Sequence, residues 1–333
     1  MADRPTAVRR AVTVALMAAG PVVASALAAA CTDGRGNTAA THRTDTLTGP
    51  GRWVRDSEPV MRHVVRAGQF TDRALSEASG IVPVQAAPGH FWGLNDSGND
   101  ERLFAFDSTG KALGTVRVRG ATNVDWEALT SGPCPEGQCL FIADVGDNSA
   151  RRPTRIIWRV PQPAISARTT APAVPLTLRY ADGPHDIEAV YAAPDSSLWL
   201  VTKRPTRSAS GEPRPSRVYR IPAAAWAAAG TITVPVADSV PVTPMRGTSH
   251  DWITDASLSA VQPDGRRRLV LLSYGAVHVL DADPATGRPG ALLARCALPI
   301  SERNAEGVTW LPDGRILLVN EGRGGGLYTG RCP

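Results

Sequence analysis

The chain has 333 residues, 43% hydrophobic and 20% charged, with a formal net charge of +5 at pH 7. This is the make-up of an ordinary globular protein with a sizeable core. Arginine carries nearly all the positive charge, Lys111 and Lys203 being the two lysines, and no dense basic stripe or nucleic-acid module accompanies it, so no nucleic-acid partner is expected.

In chain order, Arg4, Arg9 and Arg10 precede an apolar stretch from Ala11 that ends Leu27-Ala28-Ala29-Ala30-Cys31. A charged start, an apolar middle and small residues before a cut describe a secretory signal over 1–30. Cysteine at the cut resembles a bacterial lipobox, which predicts lipidation of Cys31 and attachment to the outer side of the cell membrane. The alternatives are a plain secretory peptide, giving a secreted protein, or an uncleaved anchor helix, which Pro21 disfavours. Arg9-Arg10 leaves a twin-arginine export route open. Residues 31–59 read as a flexible tether, rich in Gly, Thr, Asn and Pro.

From 60 to 333 short apolar runs alternate with Gly, Pro, Asp and Asn clusters, which predicts an all-β domain. One phrase recurs: an acid, a small residue, an apolar run. Its acids are Glu77, Glu127, Glu188, Asp255 and Glu306, spaced 50, 61, 67 and 51 residues apart. Such a period with several strands per copy predicts a β-propeller. Five four-stranded blades are expected, with six as the alternative. The acid opens the innermost strand of each copy. The second strand is the most apolar, as in Leu140–Ala143 and Ile316–Val319, and third and outer strands follow. Thr233–Val236 is the predicted outer strand of the third copy, and Ala223–Ala229 a helical turn. The fifth copy runs out of chain, and the spare strand His63–Arg66 is expected to supply its missing edge. In an oxidising compartment Cys134 and Cys139 would staple a hairpin tip, and Cys296 and Cys332 pair by default. Nothing in the sequence calls for more than a monomer.

Ring closure would gather the five acids at one mouth. Second-strand ends reach the same face, adding the candidate ligand-binding residues Asn95, Asp96, Asp144, Asp147, Lys203 and Asn320. Hard oxygen donors without a Cys-rich or His-x3-His set favour Ca2+ over zinc. A Ca2+ on or near the axis is therefore expected, held directly or through water by some of Glu77, Glu127, Glu188, Asp255 and Glu306. The competing reading is that these acids cap strand ends by accepting backbone N–H groups of neighbouring blades, and that the Asn95 and Asp144 loops are Asx turns. His185, His250, Asp125 and Asp186 stand beside the recurrent acids and are the candidate catalytic groups. A Gly-x-Ser-x-Gly elbow, a phosphate-cradling Gly-Lys-Thr loop and a His-Glu-x-x-His pair are absent.

With acid-led repeats, Trp126-Glu127-Ala128 and Ile187-Glu188-Ala189 phrases, and Asn95-Asp96-Ser97-Gly98 and Asp144-Val145-Gly146-Asp147-Asn148 loops, the chain resembles bacterial secreted propellers of the phytase-like esterase type. It is similar, more distantly, to the five-bladed calcium-activated nucleotidases (apyrases). The second resemblance implies a central Ca2+ ringed by Glu77, Glu127, Glu188, Asp255 and Glu306, with Asp96 nearby. The chain departs from it in having Asp255 rather than Glu, and only Lys203, Arg204 and Arg323 as evident phosphate partners. Two functions follow: a ligand- or partner-binding module with an acidic face, or a Ca2+-dependent hydrolase of phosphate esters or other esters.

Overall fold

The computed structural model describes residues 59–242, 244, 249–298 and 304–332. The signal, Cys31 and nearly all of the tether lie outside the described residues.

Each repeat folds as an antiparallel meander because its four blade-forming strands are short, four to nine residues, and broken by turn-forming clusters. After β1 (Arg62–Gln69), the first blade comprises β2 (Ala78–Pro83), β3 (His90–Asn95), β4 (Arg102–Asp107) and β5 (Ala112–Arg117). The second holds β6 (Trp126–Cys134), β7 (Gly137–Asp144), β8 (Arg155–Pro161) and β9 (Val174–Tyr180). In the third, β10 (Ile187–Ala192) and β11 (Leu198–Thr202) lead through a small hairpin, β12 (Thr206–Arg207) and β13 (Pro213–Arg214), to β14 (Arg217–Ile221). A 3-10 turn at Ala223–Ala227 then precedes β15 (Ile232–Val234) and β16 (Val236–Ser239). The fourth blade runs β17 (Ile253–Leu258), β18 (Arg267–Ser273), β19 (Ala276–Ala282), β20 (Pro289–Ala297). The fifth has β21 (Ala305–Trp310), β22 (Ile316–Asn320) and β23 (Gly326–Arg331), and its outer strand is β1, antiparallel to β23.

The fold is an all-β, five-bladed propeller. Successive innermost strands pack against one another, and β21 packs on β2, which closes the circle. Each blade-to-blade interface has its own apolar cluster; the closing one sets Phe70, Phe91 and Phe106 against Leu317, Val319 and Leu327. The second strands read as continuous apolar runs because each is buried on both faces, as Leu198–Thr202 is throughout.

The third copy's outer strand departs from expectation. Ile232–Val234 pairs in parallel with β9, extending the second blade to five strands, while Val236–Ser239 completes the third. Pro235 separates them: it has no N–H to donate to a ladder, so the chain changes sheets there.

Both disulfides form as expected. Cys134–Cys139 closes the β6–β7 hairpin tip, and Cys296–Cys332 ties the fourth blade's outer strand to the chain end beyond β23. Beside it, Val60 bridges Ala297, so the segment entering β1 is also held to the fourth blade.

Candidate metal centre

All five innermost strands carry a β-bulge at the same point. Ala78 faces Asn95 and Gly80 faces Leu94, skipping Ser79; the corresponding skipped residues are Glu127, Glu188, Thr254 and Glu306. A bulge leaves one residue out of the ladder and re-aims its side chain. Glu127, Glu188 and Glu306 thus hold equivalent places, whereas Glu77 lies two residues before its blade's bulge and Asp255 one residue after. The register sets the hydroxyls of Ser79 and Thr254 in those two blades, a match that aligning acids by type conceals. Ser79 Oγ donates to the Glu127 carbonyl at 2.7 Å, and Thr254 Oγ1 donates to the Ala305 carbonyl at 3.2 Å.

The position after each second strand gives a second ring: Asp96, Val145, Lys203, Tyr274 and Glu321. Four of these, with Glu77, Ser79, Glu127, Glu188 and Glu306, line a cavity of about 110 Å³. Val145 is buried in the apolar core instead. Tyr274 and Glu321 stand at second-strand ends, the face the sequence assigns to the mouth, although neither is among the site residues named from it; Ser79 is not among them either.

Asp255 does not reach this cavity. It is 0% exposed and accepts the N–H of Val308, in the next blade, at 2.7 Å and that of Ala256 at 2.8 Å. Here the strand-capping role applies. Asn95 likewise accepts the Glu77 N–H and donates to the Ala74 carbonyl. Asp144 accepts the N–H groups of Val124 and Asp125 and pairs with Arg152 at 2.6 Å. Asp147 pairs with buried Arg155 at 2.5 Å and accepts the Arg152 N–H. Asn320 faces Ala305 at the start of the fifth inner strand.

Neither candidate histidine lines the cavity. His185 sits 3.2 Å from Asp182, among Arg217 and Tyr219, and burial holds its imidazole below the usual range. His250 lies against Gly275, with Arg295 donating toward its Nδ1 at 3.2 Å. They belong to separate clusters on the third and fourth blades.

Carboxylates converge on the first three blades. Atoms of Asp96, Asp125 and Glu127 lie within 4.8 Å of one another, and so do atoms of Glu127, Asp186 and Glu188. Asp186 is 6% exposed; its Oδ1 accepts the Asp147 N–H at 2.8 Å, while Oδ2 has no hydrogen-bond partner among the described residues. Gly146 permits this crowding, since a Cβ there would stand 2.4 Å from Glu127 Oε1 and 2.5 Å from Asp125 Oδ2.

Charge is expensive in such a place. Burial, then the neighbouring carboxylates, pushes Glu127 well above the ordinary glutamate range. Burial raises Glu188 also, against the opposing pull of Lys203, and takes Glu306 up to about 8. Asp125, half-buried and close to Asp96, rises to about 6. Burial disfavours the charge on Lys203, but the Glu188 carboxylate 2.5 Å from its Nζ outweighs this and raises its pKa. The ligand atoms that the two triads themselves offer are all carboxylate oxygens, which fits a hard cation.

No family model matches the chain, and no curated protein is significantly similar to it. Among solved structures it is similar to an apo soluble aldose sugar dehydrogenase from Escherichia coli, with 11% identity over 81% of this chain and 99% of that one, at a TM-score of 0.45. An exo-beta-1,3-galactanase from Phanerochaete chrysosporium has 11% identity, with 81% and 64% covered and a TM-score of 0.47. A glucose dehydrogenase has 10% identity, with 80% and 98% covered and a TM-score of 0.46. The fold assignment rests on the strand pairing itself.

Proposed function

We propose that this chain is a membrane-tethered, extracytoplasmic β-propeller whose acidic end binds Ca2+ and there receives a small-molecule ligand or protein partner. The observation that carries the reading is the pair of carboxylate triads sharing Glu127, in which buried Asp186 keeps an oxygen with no hydrogen-bond partner among the described residues. Carboxylates removed from water and facing one another destabilise a fold unless a cation sits among them. Oxygen-only donors in this number suit Ca2+. The tether is inferred from Cys31 following Leu27–Ala30, and the protein acts as a monomer.

Metal analysis and a melt of the purified protein in Ca2+ or EDTA test the central step. Ca2+ is expected to raise the melting temperature by several degrees. Glu127→Gln should abolish that response while raising the melting temperature in EDTA, because it removes a buried charge. Equal melting in both buffers for the wild type would refute cation binding. For the tether, Cys31→Ser should move the protein from the membrane fraction to the soluble one.

A second reading, Ca2+-dependent hydrolysis of phosphate or other esters, is favoured by Asp125. A half-buried carboxyl within the first triad, its pKa raised by burial to about 6, is suited to accept a proton near neutral pH. With His185 and His250 away from the cavity, acid–base work would fall to Asp125 and Asp186. The likeness to phytase-like esterase propellers and calcium-activated nucleotidases belongs to this reading. Turnover of nitrophenyl phosphate, nitrophenyl esters or nucleotides that is lost in EDTA and restored by Ca2+ would support it. Absence of all turnover leaves the binding module.

A further inference from the structure

The acidic cavity is electrically lopsided. Lys203 leaves the second strand of the third blade at the place where the first and fifth blades carry Asp96 and Glu321. Its buried ammonium bonds Glu188 Oε1 at 2.5 Å and lies 5.6 Å from the centre of the Tyr274 ring; its charge also bears on Glu306 and, as a lesser cause, on Glu127 and Asp96. Among the described residues, no other lysine or arginine lines the cavity. Asp96 and Glu127 line it too; Asp125 forms a triad with both, and Asp186, whose backbone carbonyl accepts the Lys203 N–H at 3.0 Å, forms one with Glu127 and Glu188. Among the described residues, no lysine or arginine hydrogen-bonds to the carboxylates of Asp96, Asp125, Glu127 or Asp186, and Asp186 Oδ2, more than nine-tenths buried, has no hydrogen-bond partner at all.

We propose that Lys203 is a resident cation that partitions this cavity: its ammonium neutralises the Glu188–Glu306 side, and a divalent cation is confined to the Asp96–Asp125–Glu127–Asp186 side. This rests on the cation-binding reading above and moves the expected ion off the axis. Like charges a few ångströms apart repel strongly where water is scarce, so the ammonium and a divalent ion cannot share the Glu188 side. Glu127 belongs to both triads and marks the boundary. A lysine suits the role because it is a compact point charge with rotatable donors on a long stem, which places its charge within the ring from a strand end.

Calorimetric titration with Ca2+ alone tests the partition. Wild type is expected to bind one ion per chain, Lys203→Met two, and the double variant Lys203→Met with Glu188→Gln one again. Lys203→Arg, which keeps the charge, should bind one. If Lys203→Met binds a single ion with a Kd within twofold of wild type, the partition is wrong. Wild type binding two ions would also overturn it while sparing the cation reading, and wild type binding none would overturn that reading itself. Should Lys203→Met fail to fold by circular dichroism, Glu188→Gln alone decides. It leaves the ammonium without its nearest partner and should weaken Ca2+ binding at least tenfold; unchanged affinity refutes the proposal.

Discussion

Glu127, Glu188 and Glu306 take equivalent bulge positions, and all three bind protons more tightly in the folded chain than out of it. Their folded pKa values are raised, so the folded state holds more protons than the unfolded state as pH climbs from near 4.5 to about 8, the span set by Glu306. Stability in Ca2+-free buffer should therefore be fully present in mild acid and fall through that window. A melting temperature that drops between pH 5 and pH 8 in EDTA, and drops less in Ca2+, is the expected result; a flat EDTA profile would contradict it. Gly146 offers a geometric test at the same scale. Its missing Cβ leaves room for the Glu127 and Asp125 oxygens, so Gly146→Ala should displace them and weaken Ca2+ binding tenfold or more by calorimetry.

Strand pairing explains how elements deliver those side chains. The bulge recurs in every inner strand, and the residue it expels is carboxylic in three blades and a hydroxyl in two. Cross-links act at this level too. Cys296 and Cys332 are 36 residues apart, against 5 for Cys134 and Cys139. Chain-entropy arguments assign about 4 kcal/mol to a loop of the first size and about 2 kcal/mol to one of the second. Denaturant unfolding of Cys296→Ser with Cys332→Ser should lose roughly twice as much stability as Cys134→Ser with Cys139→Ser. Equal losses would mean that the blade-to-blade tie contributes nothing beyond a local staple.

At the scale of the whole molecule, closure depends on β1. Its pairing with β23 covers the outer edge of the fifth blade, and Phe70 just beyond it joins the cluster against the first blade. Removing residues up to Gln69 leaves β23 as an exposed edge, a template for pairing with other chains. The truncated protein is expected to aggregate or melt well below the full chain by light scattering and circular dichroism. The two ends of the axis also differ in chemistry. The far ends of the inner strands, including Val82, Ser131, Ala192, Leu258 and Trp310, line a wider and more apolar opening of about 670 Å³.

Much of this was legible in the residues. Turn-broken apolar runs at a recurring interval specify blades, because a strand's burial is written in its own side chains, and the spare strand before the first copy announced the clasp. Asp255 and Ser79 show where that legibility stops. In sequence Asp255 matches the other recurrent acids, yet one residue of register turns it to the interface between blades and puts Thr254 in its place. Pro235 likewise split what reads as one strand between two sheets. Local pattern decided which segments became strands and how many blades they built. Register against the neighbouring second strand decided how each acid is aimed, and closure of copies some fifty residues apart decided which acids share a cavity; only the folded chain sets both.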